Sequence, residues 1–136
     1  MNILIDTDIL LDVAIAREPF VEYSSAVLDL IEQNEAQGFI AWHSLSNFYY
    51  LTAPSSGSKK TKTFIKELLS FIDVAPVNTL SAEFALSLNV PDFEDALQIA
   101  SAKECNANFI VTRNLKHYKK SPIKALTPKE FLSSFN

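Results

Sequence analysis

The chain has 136 residues, a formal net charge of −4 and 48% hydrophobic residues, which is enough for one domain, residues 1–136, with a substantial core. Its single cysteine, Cys105, permits no internal disulfide, and its two glycines, Gly38 and Gly57, exclude both the phosphate-cradling P-loop and the dinucleotide fingerprint, which need several glycines close together. Asp6 interrupts the N-terminal apolar stretch far short of a signal peptide or a spanning helix, so a soluble protein of a reducing compartment, the cytoplasm, is expected, with no membrane partner.

Asn2-Ile3-Leu4-Ile5 reads as a strand buried on both faces, the parallel-sheet pattern. It delivers Asp6 to the carboxyl edge of the sheet, where ligand sites of open α/β sheets lie. An acid directly after a buried strand must be paired, hydrogen-bonded or bound to a metal. A helix beginning near Asp8 keeps Asp8 and Asp12 on one side, and capping and simple solvation account for that pair. Val21 to Asn34 carries Val27, Leu28, Leu30 and Ile31 at helical spacing and ends before Gly38, which suits a helix C-cap.

Phe39-Ile40-Ala41-Trp42 is the second strand. Ser44 or Ser46 opens the next helix, which Ala53-Pro54-Ser55-Ser56-Gly57-Ser58 ends as a loop. From Lys60 the residues Phe64, Ile65, Leu68, Leu69 and Ile72 predict a helix, followed by a strand at Val74-Ala75 and a helix over Ser81 to Leu88. Asp92 opens a helix running to about Glu104, with Asp92 and Asp95 on one face of its first turn. Phe109-Ile110-Val111-Thr112 is the next buried strand, with Arg113 and Asn114 just past its end. Thr127-Pro128-Lys129-Glu130 is a capping box that leads a last helix through Phe135. Alternating strands and helices without internal repeats give a three-layer α/β/α sandwich around a mostly parallel sheet.

Charge is uneven along the chain. Residues 1–58 hold eight acids and one base, Arg17, whereas residues 105–129 hold six bases and no acid. A second basic cluster comprises Lys59, Lys60, Lys62 and Lys66. Two such clusters beside an acidic site can hold a polyanion while the acids hold its counter-metal. With both strands in mid-sheet, Asp6, the start of the helix carrying Asp95, and Asn114 arrive at one edge. Carboxylates gathered there repel one another unless a cation joins them, and oxygen-only ligands suit Mg²⁺ or Mn²⁺. Cys105 is expected to be a small core residue.

Three stretches resemble the motifs of PIN domains: Ile5-Asp6-Thr7-Asp8 through Asp12, Asp92-Phe93-Glu94-Asp95-Ala96-Leu97-Gln98, and Phe109 through Asn114 followed by Tyr118. The resemblance implies a metal-dependent ribonuclease fold, often the toxin of a toxin–antitoxin pair similar to VapC, working with Mg²⁺ or Mn²⁺ on RNA. Carried over by motif, Asp6 and Asp95 are the catalytic acids and principal metal ligands, Asn114 takes a further ligand position, and Asp92 and Asp8 complete the set. Two positions depart from the pattern: Asn47 aligns where the family usually has Glu, and His117 stands before Tyr118 where it often has Asp. Arg113, Lys116 and Lys120, with Asn47 and His117, are the expected substrate-binding residues.

The resemblance also implies a homodimer and a possible antitoxin partner. Phe48, Tyr49, Tyr50 and Phe64 supply apolar surface beyond what one face of each helix needs. Two other functions compete. The departures at Asn47 and His117 fit a weak or inactive PIN-like module that binds RNA or protein. The pair Asp6 and Asp8 mimics a haloacid-dehalogenase-type phosphatase with a nucleophilic Asp6, although Ile9 and Leu10 follow where such enzymes carry a small residue and Thr.

Overall fold

The computed structural model describes residues 1–135. Strand β1 (Asn2–Ile5) lies at its centre: Ile3 and Ile5 enter one apolar cluster and Leu4 the other, all three fully buried. A strand buried on both faces belongs inside a sheet. Accordingly β1 is flanked by β2 (Gln37–Ile40) and β4 (Phe109–Val111), both parallel to it. β3 (Ile72–Val74) and β5 (Ala125–Leu126) complete a fully parallel sheet of order β3-β2-β1-β4-β5.

Helices cover both faces, as parallel crossovers require. On one side α1 (Thr7–Ala14), α2 (Val21–Glu32), α3 (Trp42–Ser56), α4 (Ser58–Leu68) and α7 (Pro128–Ser133) bury Leu10, Ile31, Phe48, Leu68 and Phe131. On the other, α5 (Thr79–Ser87) and α6 (Phe93–Glu104) pack with Ile99 and Ala102 beneath them, and Cys105 joins that cluster. Burial pushes the Cys105 thiol up to about 11, as expected of an inert core thiol. The expected three-layer sandwich is therefore present. The chain starts in mid-sheet, builds β2 and β3 to one side and β4 and β5 to the other. That reversal opens a crevice beyond the carboxyl ends of β1 and β4.

Several boundaries differ from the sequence expectation. Gly38 is not a helix cap but a residue of β2, and a Cβ there would sit 2.5 Å from the Ile31 Cδ1. α2 ends instead through Asn34, whose φ of 62° supplies the left-handed turn, with the Glu35 amide donating to the Leu30 carbonyl. The Ala53-Pro54-Ser55-Ser56 stretch is the last turn of α3 rather than a loop, and the chain breaks only at Gly57, with φ 89°. Stacking of Phe48 on Phe64, 5.2 Å apart, ties α3 to α4 and offsets the helical hydrogen bond that Pro54 cannot make. Phe48 is thus buried and Phe64 half-buried against it, while Tyr50 and Leu51 stay exposed.

Ile72 falls in helical register with Leu68 yet begins β3, because pairing with Gly38 of β2 satisfies its backbone; Ala75, expected in that strand, lies just past it. α5 starts two residues earlier than expected, under an Asn78 cap closed by Ser81. The Thr127–Glu130 capping box forms as read, with Pro128 in the first turn, although α7 stops at Ser133. A short 3-10 turn over Leu115–Tyr118 and the two-residue β5 had no signal of their own.

Candidate active site

The residues just past β1 and β4 build the site. The Asp6 amide donates to the Val111 carbonyl and extends the ladder by one step, which puts the side chains of Asp6 and Thr112 at the same edge. Asp6 is the N-cap of α1: its Oδ1 accepts from the Thr7 amide at 2.7 Å and from the Gln98 Nε2 at 3.3 Å. Its Oδ2 accepts from the Thr112 hydroxyl at 2.8 Å and the Tyr118 hydroxyl at 2.9 Å. Gln98 also donates to the Ser44 Oγ at 2.8 Å, and the Thr7 hydroxyl reaches the same oxygen at 2.9 Å. The requirement that an acid after a buried strand be partnered is met by four donors. Burial, together with the Asp6 charge, keeps the Tyr118 phenol protonated far above its ordinary range, so it remains a donor.

Around this fixed acid lie others that are less well satisfied. Asp8 Oδ2 accepts from the Arg113 amide at 3.0 Å and the Asn114 Nδ2 at 3.3 Å, whereas its Oδ1 is buried without a hydrogen-bond partner. Burial first, then the Asp6 charge, pushes Asp8 up to about 7. Asp95 is pushed up to about 6 by burial against the attraction of His117, whose Nδ1 is 3.4 Å from its Oδ2. Glu94 is likewise raised by burial and by Asp92 and Asp6, while the Asn47 side chain bonds it and opposes the rise. Asp92 caps α6, accepting from the Glu94 and Asp95 amides. Asp6, Asp8, Asp92, Glu94, Asp95, Asn114 and His117 line one pocket of about 220 Å³, walled by Leu11 and Leu51.

The structure thus brings together Asp6, Asp8, Asp92, Asp95, Asn114 and His117. Asn47 stands beside Glu94 and not in the pocket wall. Arg113 is not a cation of this pocket: its Nε bonds the Asp12 Oδ2 at 2.8 Å and its guanidinium lies over the Phe20 ring. Lys116 and Lys120 are exposed on and after the 3-10 turn. Asp12, expected to be solvated, is wholly buried between Arg113, Arg17 and the Ser24 hydroxyl. Glu94 was missed although its neighbours Asp92 and Asp95 were named; its place in the first turn of an acidic helix was the available signal. Gln98, Ser44, Thr112 and Tyr118 act through contacts between distant parts of the chain; Gln98, Thr112 and Tyr118 stood in the motif stretches, but nothing along the chain showed that they meet at Asp6. Among the described residues, no three His, Cys, Asp or Glu side chains form a group that could hold a metal ion.

A family model described as PIN domain matches residues 2–116. Among solved structures, the chain is similar to VapBC2 from Rickettsia felis bound to a DNA fragment from their promoter, at 18% identity and TM-score 0.74, over 93% of this chain and 98% of that one. It is also similar to DNA-bound VapBC from Salmonella typhimurium, at 16% identity and TM-score 0.73, over 94% and 98% of the two chains. A third is Mycobacterium tuberculosis VapC20, described as a sarcin-ricin loop cleaving toxin, at 15% identity and TM-score 0.62, over 79% and 86%. At these identities the likeness is one of fold. No curated protein matches the chain by sequence.

Proposed function

The chain belongs to the PIN domain family, and on that premise we propose that it is a divalent-metal-dependent endoribonuclease that serves as the toxin of a toxin–antitoxin pair. The observation that carries this reading is the set of five carboxylates, Asp6, Asp8, Asp92, Glu94 and Asp95, on one pocket at the carboxyl edge of the sheet. Burial and neighbouring acids disfavour the charged forms of Asp8 and Asp95, which a cation would relieve. The donor atoms are all oxygens, which suits Mg²⁺ or Mn²⁺, and the unpartnered Asp8 Oδ1 is a buried acceptor that a cation would satisfy. Asp6 and Asp95 would hold the ion, with Asp8, Asp92 and Asn114 in support. An ion held there would supply an acidified water and neutralise charge on a phosphodiester. Thr7, Gln98, Thr112 and Tyr118 hold the Asp6 carboxylate in one orientation. His117 stands beside Asp95, its Nδ1 3.4 Å from the carboxylate, where its ring can hydrogen-bond the acid or an incoming phosphate.

The same four hydrogen bonds make Asp6 a poor nucleophile, which counts against a phosphoaspartate mechanism. A second reading, a weakly active or inactive module that binds RNA or protein, draws on the saturated Asp6 and on the absence of a three-acid group among the described residues. An antitoxin is the proposed protein partner, because the VapBC relatives are described as complexes. Self-association is proposed through exposed apolar residues such as Trp42, Tyr50 and Leu80.

Labelled single-stranded RNA incubated with the parent and with Asp95→Asn, in Mg²⁺, Mn²⁺ or EDTA, tests the main reading. Metal-dependent cleavage by the parent alone is expected. Absence of both cleavage and calorimetric Mn²⁺ binding in the parent would overturn it in favour of the inactive module.

A further inference from the structure

A ribonuclease must grip RNA as well as cut it, yet the pocket described above is lined by acids, which repel a phosphate chain. Next to it lies a second cavity of about 360 Å³, between the start of α2 and the start of α7, a size within the ~300–1,000 Å³ range of ligand sites. Phe20 and Tyr23 line it, 37% and 41% exposed, with Pro128 opposite. Both rings carry a cation: the Arg113 guanidinium is 3.9 Å from the Phe20 centroid and the Lys129 ammonium 5.9 Å from that of Tyr23. Among the described residues, no acid lines the cavity. Asp12 faces two guanidiniums, Arg113 and Arg17, so that cluster keeps a net positive charge, and Lys129 adds another. The cavity also adjoins the acids. Arg113 lines it while the next residue, Asn114, lines the acidic pocket, and the Arg113 amide is bonded to Asp8.

We propose that this cleft is a nucleotide subsite, which takes one unpaired base of a single-stranded RNA beside the phosphate presented to the acids. The choice of ligand rests on the ribonuclease reading above. Tyr23 offers a ring for stacking, the Arg113 guanidinium on Phe20 forms the second wall, and the Arg113 and Lys129 charges favour a polyanion in the cleft. An aromatic platform flanked by cations is the chemistry of single-stranded nucleic-acid binding, tolerant of base identity because every base has a π-face. Discrimination against double-stranded RNA follows, since a paired base cannot enter.

The test is fluorescence anisotropy of a labelled short single-stranded RNA on the full chain in EDTA, which silences cleavage. Tyr23→Ala is expected to weaken binding roughly ten-fold or more, while Tyr23→Phe, which keeps the ring, restores it. Lys129→Gln should weaken binding and lower the salt slope by about one phosphate contact. An abasic strand should bind the parent no better than RNA binds Tyr23→Ala. Equal RNA affinity in the parent and Tyr23→Ala, with equal urea midpoints, overturns the proposal, as does failure of the parent to bind RNA. A cleft that instead receives a side chain of a partner protein gives that same unchanged RNA affinity. Cleavage in Mn²⁺ with affinity indifferent to Tyr23 removes the subsite and leaves the ribonuclease. Tyr23-dependent binding without cleavage in any metal does the reverse.

Discussion

Asp12→Ala is the sharpest test of how this fold is held together. Asp12 is wholly buried; its Oδ2 accepts from the Arg113 Nε at 2.8 Å and from the Ser24 hydroxyl at 2.9 Å, and its Oδ1 faces Arg17 at 3.9 Å. Removing one member of a buried ion pair costs about 3–5 kcal/mol, because the other charge is left desolvated and unmatched. Here the Arg113 side chain keeps 19% exposure and lies on Phe20, so water partly repays it and the lower end, about 3 kcal/mol, applies. With a urea slope of ~2 kcal/mol/M the midpoint should fall by about 1.5 M. Asp12→Asn keeps a neutral acceptor and should lose roughly half as much. Arg113→Met, measured alone and combined with Asp12→Ala, completes a cycle in which the double variant loses clearly less than the sum. Strict additivity, or a midpoint shift under ~0.3 M for Asp12→Ala, would refute a buried pair and return Asp12 to a solvated role.

Other outcomes follow from the same structure. Asp8 holds its proton up to about 7 against an ordinary 3.8, so the folded state binds more protons between those values. Stability should therefore fall as pH rises from about 4 to about 7 and level off above. Asp8→Asn should flatten that slope and gain up to about 4 kcal/mol at pH 8, at 1.36 kcal/mol per tenfold change in proton affinity; urea melts of both proteins at acid and alkaline pH would expose an equal slope if this is wrong. Gly38→Ala drives a methyl into Ile31 and should cost about 1–3 kcal/mol by overpacking, read by thermal melting, with an unchanged midpoint as the contrary result. Asn47→Glu sets a carboxylate beside Glu94, so it should lower stability in EDTA and raise Mn²⁺ affinity by calorimetry, the gain vanishing with Asp95→Asn. Unaltered Mn²⁺ affinity would assign Asn47 to packing.

The sequence by itself determined what depends on neighbours along the chain. The apolar run ending in Asp6, the acidic start of α6 at Asp92–Asp95, the Thr127–Glu130 capping box and the alternation of strands with helices were legible because strand burial, capping and helical periodicity are local. Three ordered motifs were enough for the PIN family and the acid edge. Tertiary structure alone decided how the charges are disposed. Asp6 is fixed by Gln98, Thr112 and Tyr118, which lie 92, 106 and 112 residues away, and no spacing rule reaches that far. Asp12 looked like solvated surface, yet α1 and the end of β4 bring it against the Arg113 guanidinium in the interior. Likewise Pro54 remained helical and Ile72 became a strand because packing and sheet pairing outweighed local preference. A buried charge must find a counter-charge, and which one it finds is settled by the topology that carries both into the same place.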